Sequence, residues 1–240
     1  MSAVPVGVSF GGSLLLAGTF VLSHYYRGMT REFSRRWQAL SSGVAVAYVF
    51  GEILPELAWH GPTVAASAFG SLLDTKKRVY LWALGGFVTF AALSRLRYGR
   101  KGEARHGTLY FGGTLTGYAL YVVLIGYLLV SREASSYGEL ALYVVAIGLH
   151  LFMIDGELAG HFERRYAHAG RFLLAGCALL GWGLGIAEAM PDTVTARLFA
   201  VLAGGILIPS AHAETRAEAG ARFWWFVWGA IAYAIILMLV

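Results

Sequence analysis

Uninterrupted apolar runs dominate this chain; neither the period-two alternation of a half-buried strand nor a narrow amphipathic stripe does. Eight stretches approach or reach the roughly 20 mostly apolar residues that cross a bilayer as a helix. They are residues 5–23, 39–59, 79–96, 109–130, 140–154, 172–190, 196–211 and 223–240. The fifth and seventh are short by that standard. The fifth is expected to continue through residues 155–162, which carries its polar side chains into or onto the membrane. Pro191 and Asp192 predict a tight link between the sixth and seventh runs. The expected architecture is all-α and polytopic: an eight-transmembrane-helix bundle forming one domain over residues 1–240.

Composition narrows the class further. Hydrophobic residues make up 58% of the chain and charged ones 14%, where a soluble domain carries about a quarter charged. The net charge of +5 does not point to nucleic acid, because the basic residues sit in short connections beside apolar runs, as the positive-inside bias requires. The connection after the first run holds Arg27, Arg31, Arg35 and Arg36, the one after the third Arg97, Arg100, Lys101 and Arg105, and the one after the fifth Arg164, Arg165 and Arg171. The alternate connections are poorer in cations, apart from Lys76, Lys77 and Arg78. The expectation is an integral cell-membrane protein in the lipid bilayer with both termini extracytoplasmic. No basic n-region precedes the first run, so it reads as a retained span. Cys177 is the only cysteine, which excludes an intrachain disulfide. Homodimerisation is left open. Trp37, Trp59, Trp224, Trp225 and Trp228 fall at predicted span ends, as interfacial aromatics do. Gly113–Gly117, Gly156–Gly160 and Gly181–Gly185 repeat at four-residue spacing, which favours close helix contacts.

Ionisable groups inside spans are costly and are functional candidates by default. They are Glu52 and Glu56 in the second run, His150, Asp155, Glu157 and His161 in the fifth, Glu188 near the end of the sixth, and His212 and Glu214 at the end of the seventh. At 100° per residue His150, Ile154, Glu157 and His161 share one helix face, whereas Asp155 points elsewhere. Glu157 and His161 are one turn apart, within reach of a single cation. His150 lies about 10 Å further along the axis. Imidazole with carboxylate suits Zn²⁺ or another first-row divalent metal. One helix supplies two or three ligands, so a second span would have to contribute. The bland alternative is that Glu157 and His161 simply approach a solvated interface. Pro55, between Glu52 and Glu56, removes a backbone donor and can kink its helix.

The second run, Gly43-Val-Ala-Val-Ala-Tyr-Val-Phe-Gly-Glu-Ile-Leu-Pro-Glu56, resembles the second helix of ZIP-family (zinc- and iron-transporter-like) metal transporters. Leu84 to Leu96 is similar to that family's third helix, and Ala203 to Glu214 to its seventh. The resemblance implies eight spans, both termini outside and metal ligands on the fourth and fifth helices. Gly117, Tyr118 and Tyr121 occupy the polar positions of the fourth helix, and none is a good ligand for a divalent metal. On the fifth, Gly160-His161-Phe162 aligns with one end of the family pattern and His150 with the other, in registers three residues apart.

The expectation from these readings is transport of a divalent cation, Zn²⁺ first, with Glu157, His161, His150, Asp155, Glu52 and Glu188 as the metal-contacting candidates. The alternative is a ZIP-fold protein without transport, acting as an accessory or sensor subunit, with Tyr118 and Tyr121 blocking the site. Enzymatic function is not expected. The histidines are too scattered for a three-ligand catalytic metal site, and no Gly-x-Ser-x-Gly, Walker or His-Glu-x-x-His string is present.

Overall fold

The computed structural model describes residues 5–26, 31–58, 75–96, 104–131, 136–214 and 219–239. Every regular element among them is helical. Eight helices follow one another as α1 (Val6–Tyr26), α2 (Arg31–Tyr48), α3 (Thr75–Leu96), α4 (Ala104–Ser131), α5 (Tyr137–Arg165), α6 (Arg171–Ala187), α7 (Asp192–Glu214) and α8 (Ala219–Leu239). Each apolar run therefore seeds one helix. The fifth does continue beyond residue 154, as its polar tail required. Four helical stretches are long and apolar enough to cross a membrane: Arg35–Ala58, Tyr110–Ser131, Tyr137–Phe162 and Tyr166–Ala187. Three shorter apolar ones are Val6–Leu22, Val79–Leu93 and Phe223–Leu239. Much of the positive-inside evidence, including Arg27, Arg97, Arg100 and Lys101, lies outside the described residues, as do Trp59 and the side chains of His212 and Glu214.

The bundle is apolar on its outside. Leu120 is 68% exposed, Trp228 63% and Met238 86%, while Ser13, Ser42, His150 and Asp155 are buried. In water such a surface is an aggregation liability; against acyl chains it is the expected one. This is a membrane protein.

Two interruptions in the helices have chemical causes or consequences. α2 widens into a π-helical segment, Val49–Ile53, in which the Leu54 N–H reaches back to the Val49 carbonyl. Pro55 follows two residues later and cannot donate to the Gly51 carbonyl four residues before it, so the ladder is already broken there. A second π segment, Tyr166–Gly170, joins α5 to α6 with helical dihedrals at both of its caps. The connection expected to hold Arg164, Arg165 and Arg171 as a loop is therefore helical backbone. The chain nonetheless doubles back just before this segment. A Cβ on Gly12 would meet Val144 and Phe10 packs on Trp182 at 4.9 Å, so residues 144 and 182 flank the same turn of α1. One straight helix would hold them about 57 Å apart. The Tyr166 hydroxyl also donates to Asp155 Oδ1 at 2.6 Å, closer than eleven residues of straight helix allow, which puts a sharp bend between those two residues.

Three helix pairs meet backbone to backbone through matched glycines. A Cβ on Gly43 would land on the Phe226 carbonyl oxygen of α8, and one on Gly229 on the Leu40 carbonyl oxygen of α2. Gly86 and Gly204 face Val201 and Ala83 in the same reciprocal way across α3 and α7, and Gly126 and Gly181 face Ala178 and Val123 across α4 and α6. These pairs are also the most extensive helix contacts in the bundle. Small residues at crossings are what membrane helices use when no hydrophobic effect drives association. Of the three four-residue repeats, Gly181–Gly185 lies against α4 backbone, whereas Gly113 and Gly160 meet nothing and Gly117 and Gly156 meet only side chains. The resulting contacts divide the helices into α1, α4, α5, α6 and α2, α3, α7, α8, joined mainly where α2 packs on α5.

Candidate functional site

Two of the buried polar residues, Thr114 and His150, lie where α4 faces α5; the others are Ser9 and Ser13 on α1, Ser41 and Ser42 on α2, Asp155 and Arg171. α5 supplies His150, Glu157 and His161 on one face. Tyr110, Thr114, Tyr118 and Tyr121 recur on α4 at intervals of four, four and three residues, which also makes one face. The two helices run antiparallel. Tyr121 Oη lies 3.0 Å from His150 Nε2, and Tyr110 packs against His161 with ring centroids 6.5 Å apart. Both contacts fit one register, which sets Thr114 opposite Glu157 between them. The two observed contacts thus lie eleven residues apart on α5, about 16 Å along the helix axis, with Thr114 and Glu157 at the level between them. α4 and α5 approach closely at few backbone positions, in contrast to the glycine contact of α4 with α6. Aromatic side chains fill the wider gap.

His150 is fully buried, its Nε2 engaged by Tyr121 and its Nδ1 without a hydrogen-bond partner among the described residues. If Tyr121 donates, Nδ1 carries an unpaired N–H; if it accepts, Nδ1 is a bare lone pair. Thr114 is also fully buried, and its Oγ1 has no partner among the described residues. Buried polar atoms of this kind are uncommon and call for an explanation such as a catalytic or binding role or an ordered ion or water. Tyr121 cannot swing aside freely, because its ring lies 4.3 Å from that of Phe90 and a Cβ on Gly205 would meet its Cε2 at 2.9 Å.

The remaining candidates are spread out. Asp155 is buried and accepts from Tyr166, off the stripe as its helical phase predicted. Glu157 is half-buried and His161 exposed. Glu52 and Glu56 are half-buried, Glu52 within the π segment of α2. Tyr48, just before that segment, packs against Tyr143 at 6.1 Å, so Glu52 is level with the start of α5 and lies on the far side of His150 from Glu157. Glu188 is exposed at the extended end of α6. The neighbouring Met190 N–H donates to the Tyr127 hydroxyl, which puts this end more than a turn beyond Tyr121 along α4. Among the described residues no three His, Cys, Asp or Glu side chains are gathered as a metal site.

Reasoning from sequence passed over Tyr110, Thr114 and Tyr166. For the first two the signal was present in the helical spacing on α4. For Tyr166 no local signal exists, since its contact with Asp155 depends on the chain reversal. Replacing Tyr166 with phenylalanine is expected to lower stability by about 0.6–1.7 kcal/mol, the range for buried hydrogen bonds between membrane helices. Reversible unfolding in mixed micelles measures it, and an unchanged midpoint would show that Asp155 does not depend on this phenol.

The chain matches no protein-family model, no curated protein and no solved structure.

Proposed function

We propose that this chain is a ZIP-like membrane permease of eight spans, with both termini extracytoplasmic, that passes a divalent metal cation along the face shared by α4 and α5. Zn²⁺ is the first substrate to test. One observation carries the reading: a stripe of imidazole, hydroxyl and carboxylate groups runs along the face shared by α4 and α5, with buried polar atoms at His150 and Thr114 unpartnered among the described residues. Ionisable groups inside a membrane bundle are functional candidates by default, and ion pathways are among their uses. The cation would meet its ligands a few at a time, Glu157 and His161 at one end and His150 at the other, with Asp155, Glu52 and Glu188 outside the stripe. Weak, successive sites suit conduction, because an ion must leave as readily as it enters.

A non-transporting accessory or sensor role is the second reading. It is favoured by the phenol of Tyr121 already engaging His150 and by the dispersal of the carboxylates. Metal uptake into proteoliposomes separates the two. The permease reading expects Zn²⁺ flux above that of empty vesicles, falling towards their level in Glu157→Ala and His161→Ala. Wild-type vesicles no leakier than empty ones, under gradients of either direction, would leave the second reading standing.

A further inference from the structure

Arg171 opens α6 immediately after the π segment and is only 3% exposed. Its Nε and Nη2 atoms are buried and have no hydrogen-bond partner among the described residues. These two nitrogens are the side of the guanidinium that grips a carboxylate or phosphate with two parallel N–H···O bonds. A buried cation with an empty fork is among the more unfavourable arrangements a protein can hold. The buried carboxylate near the reversal, Asp155, accepts from Tyr166 instead.

The surroundings identify where an oxyanion would come from. On the chain before Arg171, Arg165 and His168 are exposed. After it the exposed residues turn apolar, with Phe172 at 58% and Leu173 at 47%, followed by Leu180 and Leu184. Arg35 and Arg36 of α2 are exposed at the same end, since a Cβ on Gly156 of α5 would meet Gln38. Arg36 lies over the Trp225 ring at 5.9 Å. A change from cationic to apolar surface within one helical turn is the signature of the headgroup–acyl boundary, where basic side chains reach for phosphate.

We propose that the Arg171 fork is a binding site for a phosphate group, supplied by the headgroup of an anionic phospholipid whose chains lie along Phe172 and Leu173. The site lies on α6, which supplies no residue of the polar stripe, and its test does not depend on transport. The lipid would join the reversal between α5 and α6 to the bilayer and satisfy a cation that the described residues leave unpaired.

The test uses the full chain purified in a neutral maltoside detergent, titrated separately with phosphatidylglycerol, phosphatidylcholine and inorganic phosphate. Native mass spectrometry reads retained lipid and thermal unfolding reads stabilisation. Wild type should retain phosphatidylglycerol over phosphatidylcholine and unfold at a higher temperature with it. Arg171→Gln should weaken that retention on the order of tenfold, the equivalent of losing charge-assisted hydrogen bonds. Arg171→Lys keeps the charge but not the fork; it should also lose affinity, and it carries the test if the glutamine variant does not fold. Stabilisation by inorganic phosphate with the same dependence on Arg171 would support the phosphate site and make the free anion its source. Equal phosphatidylglycerol retention in wild type and both variants, or no response to either phosphate source, overturns the proposal.

Discussion

Gly204→Leu is expected to leave little folded protein. A Cβ at this position would fall on the Ala83 carbonyl oxygen and 2.6 Å from the Phe87 nitrogen. Both atoms belong to the backbone of α3, so neither can move aside as a side chain would. The reciprocal Gly86 faces the Val201 carbonyl just as closely, so sliding the two helices relieves one contact by worsening the other. Overpacking against side chains costs about 1–3 kcal/mol. Here the helices themselves must separate, and the loss should exceed about 4 kcal/mol, in the range kept for severe structural damage. The yield of monodisperse protein in detergent and its thermal midpoint measure this. Gly176→Ala supplies the contrast, because a Cβ there meets nothing within 4 Å. It should be neutral or stabilising by up to about 1 kcal/mol through helix propensity alone. A Gly204→Leu protein with the wild-type midpoint would mean that α3 and α7 do not pack as described.

That contrast shows where the sequence could be read and where it could not. Apolar runs of near-spanning length locate helices directly, since a segment with no polar face has few other ways to satisfy its backbone in lipid. The extension of α5 through its polar tail was legible for the same reason. Which glycines matter was not. Gly113 and Gly117 have the four-residue spacing of an interface pair, yet Gly113 faces open space. Gly43, Gly86 and Gly204 became contacts only through a matching residue on another helix, which no single segment encodes. The reversal after the fifth run was located by the positive-inside cluster of Arg164, Arg165 and Arg171, but its backbone form was not legible. Charge reports the side of the membrane and says nothing of the backbone, which stays helical through Arg165 and Arg171. At the candidate site the stripe on α5 was visible from helical phase alone. Its partner on α4 was not, because Tyr118 and Tyr121 were weighed as metal ligands and found poor. Their place opposite α5 gives Tyr121 a different role, as the hydrogen-bond partner of His150.

The Tyr121–His150 contact therefore gives the sharpest test of the polar stripe, through a double-mutant cycle with two readouts. Tyr121→Phe removes the hydroxyl and leaves His150 Nε2, already beside an unpartnered Nδ1, without its bond. His150→Leu leaves the Tyr121 hydroxyl buried and unsatisfied. Each single change should destabilise by about 1–2 kcal/mol, near the upper end for membrane hydrogen bonds, because one polar group is stranded. Tyr121→Phe with His150→Leu strands neither, so it should be more stable than the two single losses predict together, by about 1 kcal/mol. Strict additivity would show that the two side chains are neighbours without an energetic bond. Transport should not recover with stability. The double variant lacks the imidazole that the permease reading requires, so its Zn²⁺ flux should stay at the level of empty vesicles even where its fold is restored. Restored flux in the double variant would place the ion path elsewhere in the bundle and reduce His150 to a structural residue.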